Sequence, residues 1–205
     1  MDMPAFRTFR SLLAFALLLS ASTLFAASPR LTIILPRGAQ RGKDTELTFS
    51  GSLLADVEEI MFYEPGFSVK EFKPVNANSF KAVVSVSPDA RLGEQVCQVR
   101  TKTGISDFRT FFVGYLPDVV EAEPNSDFAT PQVVPMNSTV NGVAASEDVD
   151  YYVVDAKKGD RIAAEVEAIR LGTTLFDPYV AILDAKRFEL ASADDSPLLV
   201  QDCVV

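Results

Sequence analysis

The chain has 205 residues, 48% of them hydrophobic and 23% charged, a balance that excludes disorder over most of its length. It contains no histidine and no tryptophan, which removes Ser-His-Asp and Cys-His catalysis and every His-ligated zinc or iron site, and its 2 cysteines are too few for a four-thiolate metal centre. The formal net charge of −9 disfavours nucleic acid, which is bound by clustered Lys and Arg, and favours cations.

Arg7 and Arg10 precede the wholly apolar run Leu12 to Leu19, and small residues follow at Ala21-Ser22 and Ala26-Ala27-Ser28. That order is the pattern of a secretory signal peptide, read here as residues 1–28, with the mature chain beginning between Ala27 and Pro29. The 16 residues from Leu12 to Ala27 include Ser20, Ser22 and Thr23, and fall short of the roughly 20 apolar residues a spanning helix needs. No second apolar run follows, so the mature chain is expected to carry no membrane span and to be secreted, periplasmic or extracellular.

Beyond the leader, short runs rich in Val, Ile, Phe and Tyr alternate with Gly, Pro, Asn and Asp, and no 3.6-residue period persists; the fold class is all-β. Residues 29–116 are expected to hold seven strands: Leu31–Leu35, Glu46–Ser50, Glu59–Tyr63, Val69–Val75, Phe80–Val86, Gln95–Thr101 and Arg109–Val113. Turn signals separate them at Pro36-Arg37-Gly38, Pro65-Gly66, Asn76-Ala77-Asn78, Ser87-Pro88-Asp89 and Thr103-Gly104. Four features occur in order: Pro36 to Gly42 before the second strand, Phe49-Ser50-Gly51-Ser52-Leu53-Leu54 after it, the Pro88 to Gly93 turn, and Thr103-Gly104-Ile105-Ser106 before a Phe-rich last strand. From Arg30 to Gly114 this resembles a TIG/IPT immunoglobulin-like domain, which implies a β-sandwich acting as a spacer or binding module.

Residues 117–127 read as an acidic linker, Glu121-Ala122-Glu123-Pro124-Asn125-Ser126-Asp127, in which Pro124 prevents a central strand. Charge divides at this point: residues 29–117 hold 11 basic and 10 acidic side chains, whereas residues 118–205 hold 6 and 17. Strands are expected to resume in 128–205 at Gln132–Met136, Thr139–Val143, Tyr151–Asp155, Arg161–Ala168, Tyr179–Asp184 and Glu189–Ala193, with Lys157-Lys158-Gly159-Asp160 as a hairpin turn between the third and fourth. Glu121, Glu123 and Asn125 alternate along an extended segment and so project to one side, offering the oxygen donors that a hard cation takes.

Marks in this half include Glu123-Pro124-Asn125, Val140-Asn141-Gly142-Val143, Asp148-Val149-Asp150-Tyr151-Tyr152, Lys158-Gly159-Asp160, Phe176-Asp177-Pro178-Tyr179 and Asp194-Asp195. Together they resemble the bacterial pre-peptidase C-terminal domain, a jelly-roll module that includes collagenase collagen-binding domains. The resemblance implies a bacterial source and calcium held by Glu121, Glu123 and Asn125 with Glu147 and Asp150; Ser126 replaces an Asp of that pattern, so the site would have one charge fewer, bind more weakly, or recruit Asp127 or Asp148. Ala185-Lys186-Arg187 departs from the Gly-containing turn of such domains. They also continue for further strands beyond the Asp-Asp pair, so the second sandwich is expected to be incomplete and the sequence a fragment or the product of a truncated reading frame.

These features imply no enzyme activity. Asp194 and Asp195 are neighbours whose side chains point to opposite faces of a strand, which prevents them acting as a carboxylate dyad. The function expected is a non-catalytic, calcium-stabilised binding or spacer module whose partner is an extracellular protein or polymer surface. The alternatives are the front part of a larger secreted peptidase and, more weakly, a carbohydrate-binding module, for which aromatic Trp platforms are missing. A Cys97–Cys203 bridge would have to join the two modules; the residues read instead as a small buried hydrophobe and a free thiol.

Overall fold

Strict alternation in Ser79–Val86 buries every second side chain, the signature of a strand with one face on a core. The computed structural model describes residues 28–172 and 176–205, so the expected signal peptide lies almost wholly outside the described residues. The first half has nine strands: β1 (Arg30–Leu35), β2 (Gly38–Gln40), β3 (Asp44–Ser52), β4 (Val57–Phe62), β5 (Phe67–Asn76), β6 (Ser79–Val86), β7 (Gly93–Thr101), β8 (Gly104–Ile105) and β9 (Arg109–Gly114). They form one sheet in the order β1-β3-β6-β5 and a second in the order β2-β9-β7-β4, with β8 beside β7. All seven expected strands are present. The Pro36-Arg37-Gly38 turn is shorter than expected, because the chain re-enters the opposite sheet at once as β2, parallel to β9, and buries Ala39.

Between the sheets lies a closed apolar core that includes Leu31, Ile34, Leu47, Phe49, Phe80, Val84, Val99 and Phe111. Phe49 and Phe80 face each other across the β3–β6 ladder and stack with ring centroids 4.8 Å apart. Gly51 is compulsory: a Cβ there would overlap the Arg30 carbonyl, where β1 bulges against β3. β5, at the edge of its sheet, carries Lys70, Glu71, Lys73 and Pro74 and two register shifts, features that discourage further strand addition. Cys97 points into this core, where burial pushes its thiol up to about 12.

The second half is also β, in shorter pieces: β10 (Asp118–Val120), β11 (Gln132–Val133), β12 (Thr139–Asn141), β13 (Tyr152–Val153), β14 (Glu165–Val166), β15 (Val180–Leu183), β16 (Glu189–Ala193) and β17 (Cys203–Val204), with a 3-10 turn at Ile169–Leu171. Two pairs are parallel, β10–β12 and β11–β13; two are antiparallel, β14–β17 and β15–β16. Two sequence expectations are corrected here. Lys157 to Asp160 does form a turn, but the strands on either side do not pair with each other: β13 pairs with β11, and β14 with β17. The segment expected as a free acidic linker begins inside a strand, since Asp118–Val120 is β10.

The two halves meet where the Leu171 carbonyl accepts hydrogen bonds from Arg37 Nη2 and from Thr110 Oγ1, the latter at 3.2 Å. The turn carrying Leu171 is fixed from below by Asp202, whose side chain is 0% exposed. It accepts from the Ala168 amide at 3.0 Å, the Ile169 amide at 2.8 Å and Arg170 Nε at 2.6 Å. Beside it Cys203 is buried, and both cysteines are free thiols. Among the described residues no helix is long and apolar enough to cross a membrane.

Candidate functional site

The acidic cluster is assembled from two strand-flanking segments, Glu121–Asn125 after β10 and Glu147–Asp150 before β13. Backbone bonds lace them together: the Tyr151 amide donates to the Asn125 carbonyl at 2.9 Å. Gln132 braces the first segment through both ends of its side chain, accepting from the Ala122 amide at 2.9 Å and donating to the Val120 carbonyl at 3.0 Å. On the second, Asp148 accepts from Ser126 Oγ at 3.1 Å and from the Ala145 amide at 3.2 Å.

Carboxylate oxygens of Glu123, Asp148 and Asp150 lie within 4.8 Å of one another. Asn125 lies behind them, 0% exposed, its amide N–H donating to Glu123 Oε2 at 2.9 Å and its Nδ2 to Glu121 Oε1 at 3.3 Å. Its Oδ1 is buried without a partner among the described residues, and so is Asp150 Oδ1. Unpaired buried acceptors are costly, and a donor or a cation reaching these two would remove that cost.

Electrostatics within the cluster agree. Asp150 is pushed up to about 6, first by burial and then by the neighbouring Glu121 and Asp148 charges. Glu121 behaves in the opposite way. Burial pulls its carboxyl up, but donors from Tyr152, the Val143 amide and Asn125 outweigh this and hold it below the ordinary range. The Tyr152 hydroxyl is shifted up by burial and by Glu121, so it remains a donor.

Of the five residues expected as ligands, the structure gathers Glu123, Asn125 and Asp150. Glu121 lies beside them with its oxygens engaged by Tyr152, Val143 and Asn125. Glu147 stands outside the cluster, exposed, at a positive φ of 60°. Asp148, expected only as a substitute, takes the place given to Glu147. Alternation could have found it, since Asp148 and Asp150 are two apart in an extended segment and share a side, whereas Glu147 is not in phase with Asp150. Asp127 is not in the cluster; its carboxylate accepts from the Ala129 amide at 2.9 Å and caps that turn.

Three carboxylates and an amide carbonyl, with no nitrogen or sulfur donor, make a set suited to a hard cation such as Ca2+, which takes 6–8 oxygens at about 2.3–2.6 Å. The residues present fit such an ion, and the two orphaned oxygens, Asn125 Oδ1 and Asp150 Oδ1, are the ones a cation would satisfy. Compared with known proteins, the chain matches no family model and no curated sequence.

Proposed function

We propose that this chain is a secreted, non-catalytic binding or spacer protein whose second half is organised by Ca2+. Glu123, Asn125, Asp148 and Asp150 would hold the ion, which supplies positive charge to a cluster that is otherwise self-repelling. The observation carrying this reading is the pair of buried, unpartnered oxygens on Asn125 and Asp150 beside carboxylates within 4.8 Å of each other. The leader-like N-terminus and the likeness to TIG/IPT and pre-peptidase C-terminal domains support export and a binding role toward an extracellular protein or polymer surface. The chain's own residues would then do mechanical work. The Glu121–Asn125 strap would be held against the segment before β13 through the shared ion, and the Arg187 guanidinium, 5.7 Å from the Phe128 ring centroid and 5.9 Å from that of Tyr151, extends the clamp to the β15–β16 turn.

Calorimetric titration of the mature chain with Ca2+, beside thermal melts in calcium and in chelator, tests the proposal. One binding event and a higher melting temperature in calcium are expected, both weakened in Glu123→Gln. An ion binding only the folded state at a hundredfold excess over Kd adds about 2.7 kcal/mol. Silent titrations and identical melts would remove the calcium role.

A further inference from the structure

We propose that Glu121 is a positioning residue for the cation site and not one of its ligands: it turns the Asn125 amide so that the carbonyl oxygen is left for the ion. This inference rests on the calcium reading above. Three donors converge on the Glu121 carboxylate. Oε1 accepts from the Tyr152 hydroxyl and from Asn125 Nδ2, and Oε2 accepts from the Val143 amide at 2.7 Å. Gly142 makes the room, because a Cβ there would come within 2.9 Å of Glu121 Oε1. The carboxylate is therefore seated in a pocket of donors from three separate segments.

The consequence falls on Asn125. An amide presents its nitrogen and its oxygen on opposite sides, so binding Nδ2 to Glu121 fixes which side the oxygen faces. That oxygen is the buried, unpaired Oδ1. Without Glu121 the amide loses the charged acceptor that selects this orientation over the reverse one, which would aim N–H donors at the cation. Glu123, Asp148 and Asp150 form the mutually close set that the ion would occupy, while Glu121 stands beside Asp150 with both its oxygens taken up by donors. Supporting residues of this kind typically cost about 10–100-fold in metal affinity when removed.

Directly excited Tb3+, standing in for Ca2+, reports the number of water molecules on the ion through its emission lifetimes in H2O and D2O. Replacing a ligand opens a coordination position to water; replacing a positioning residue does not. Glu123→Gln is expected to add about one water. Glu121→Gln and Tyr152→Phe are expected to weaken binding by about 10–100-fold with the hydration number unchanged. Tyr152→Phe removes a donor from Glu121 and leaves every proposed ligand in place, and it decides the question if Glu121→Gln fails to fold. An added water in Glu121→Gln, or wild-type affinity in Tyr152→Phe, would overturn the positioning role while leaving the calcium site standing. A wild-type chain that binds no Tb3+ and no Ca2+ would instead overturn the calcium reading itself.

Discussion

Removing the Asp202 charge with the isosteric change Asp202→Asn tests how the second half is held together. In the wild type the carboxylate is fully buried and accepts from the amides of Ala168, Ile169 and Arg170 as well as from Arg170 Nε. Asparagine keeps the shape but has one acceptor oxygen, and its NH2 group must face a donor. Breaking a buried ion pair costs about 3–5 kcal/mol when it strands the partner charge. Here Arg170 is not stranded, since Glu165 lies 2.7 Å and Glu167 3.7 Å from its Nη2. The loss is therefore mainly one or two unsatisfied buried amides at about 1–3 kcal/mol each, giving about 2–3 kcal/mol overall. Urea unfolding at neutral pH reads this difference. The pH dependence carries the sign. The folded Asp202 carboxyl is held below its ordinary value by these donors, although burial opposes them. Its contribution is present above the unfolded pKa and is lost as pH falls through the folded one. The gap between variant and wild type should therefore narrow in acid. A gap below about 0.5 kcal/mol at neutral pH, or one that persists undiminished at low pH, would refute the assignment of the buried carboxylate as the fastener of this turn.

Asp150→Asn should have opposite effects in two buffers. The folded carboxyl lies at about 6, above the unfolded value, so in chelator the wild type loses stability as pH rises from about 4 to about 6, and the variant should melt higher than wild type above that range while gaining nothing from calcium. Gly51→Ala collides with the Arg30 backbone and should lower the stability of the first half by about 3 kcal/mol or more, seen as a lower denaturant midpoint in the full chain. Phe49→Ala removes one ring of the buried stack with Phe80 and should cost about 3–5 kcal/mol in the same assay. Neither thiol should react with a water-soluble disulfide reagent in the native protein, and both should react in denaturant, because Cys97 and Cys203 are buried with raised pKa values.

The first half was legible because its strands are long and one-sided. In Ser79–Val86 alternation fixes both the strand and its inward face, and the turn residues around it mark where pairing stops. β2 was missed for the reason that makes it unusual: three residues carry too little pattern to show, and its pairing to β9 is decided by a sequence seventy residues away. In the second half the apolar runs were found, but their partners were not. Tyr151–Asp155 and Arg161–Ala168 flank a genuine turn, yet each pairs elsewhere, because a turn brings strands together only when the flanking residues extend the ladder. Glu123, Asn125 and Asp150 were legible from spacing. Asp148 in place of Glu147, and the different duty of Glu121, depend on which donors surround each carboxylate, and that information lies in Val143, Tyr152, Ser126 and Ala145.

Between the end of β9 at Gly114 and the start of β10 at Asp118 there are only three residues, Tyr115, Leu116 and Pro117. At no more than about 3.6 Å per residue they make a tether of roughly 10 Å. So short a leash keeps the partners at an effective concentration of about the millimolar range or above, and contacts far too feeble to hold two free molecules can then persist. The meeting of Leu171 with Arg37 and Thr110 is of that kind. A long flexible insertion after Tyr115 would dilute it without altering a single residue that takes part.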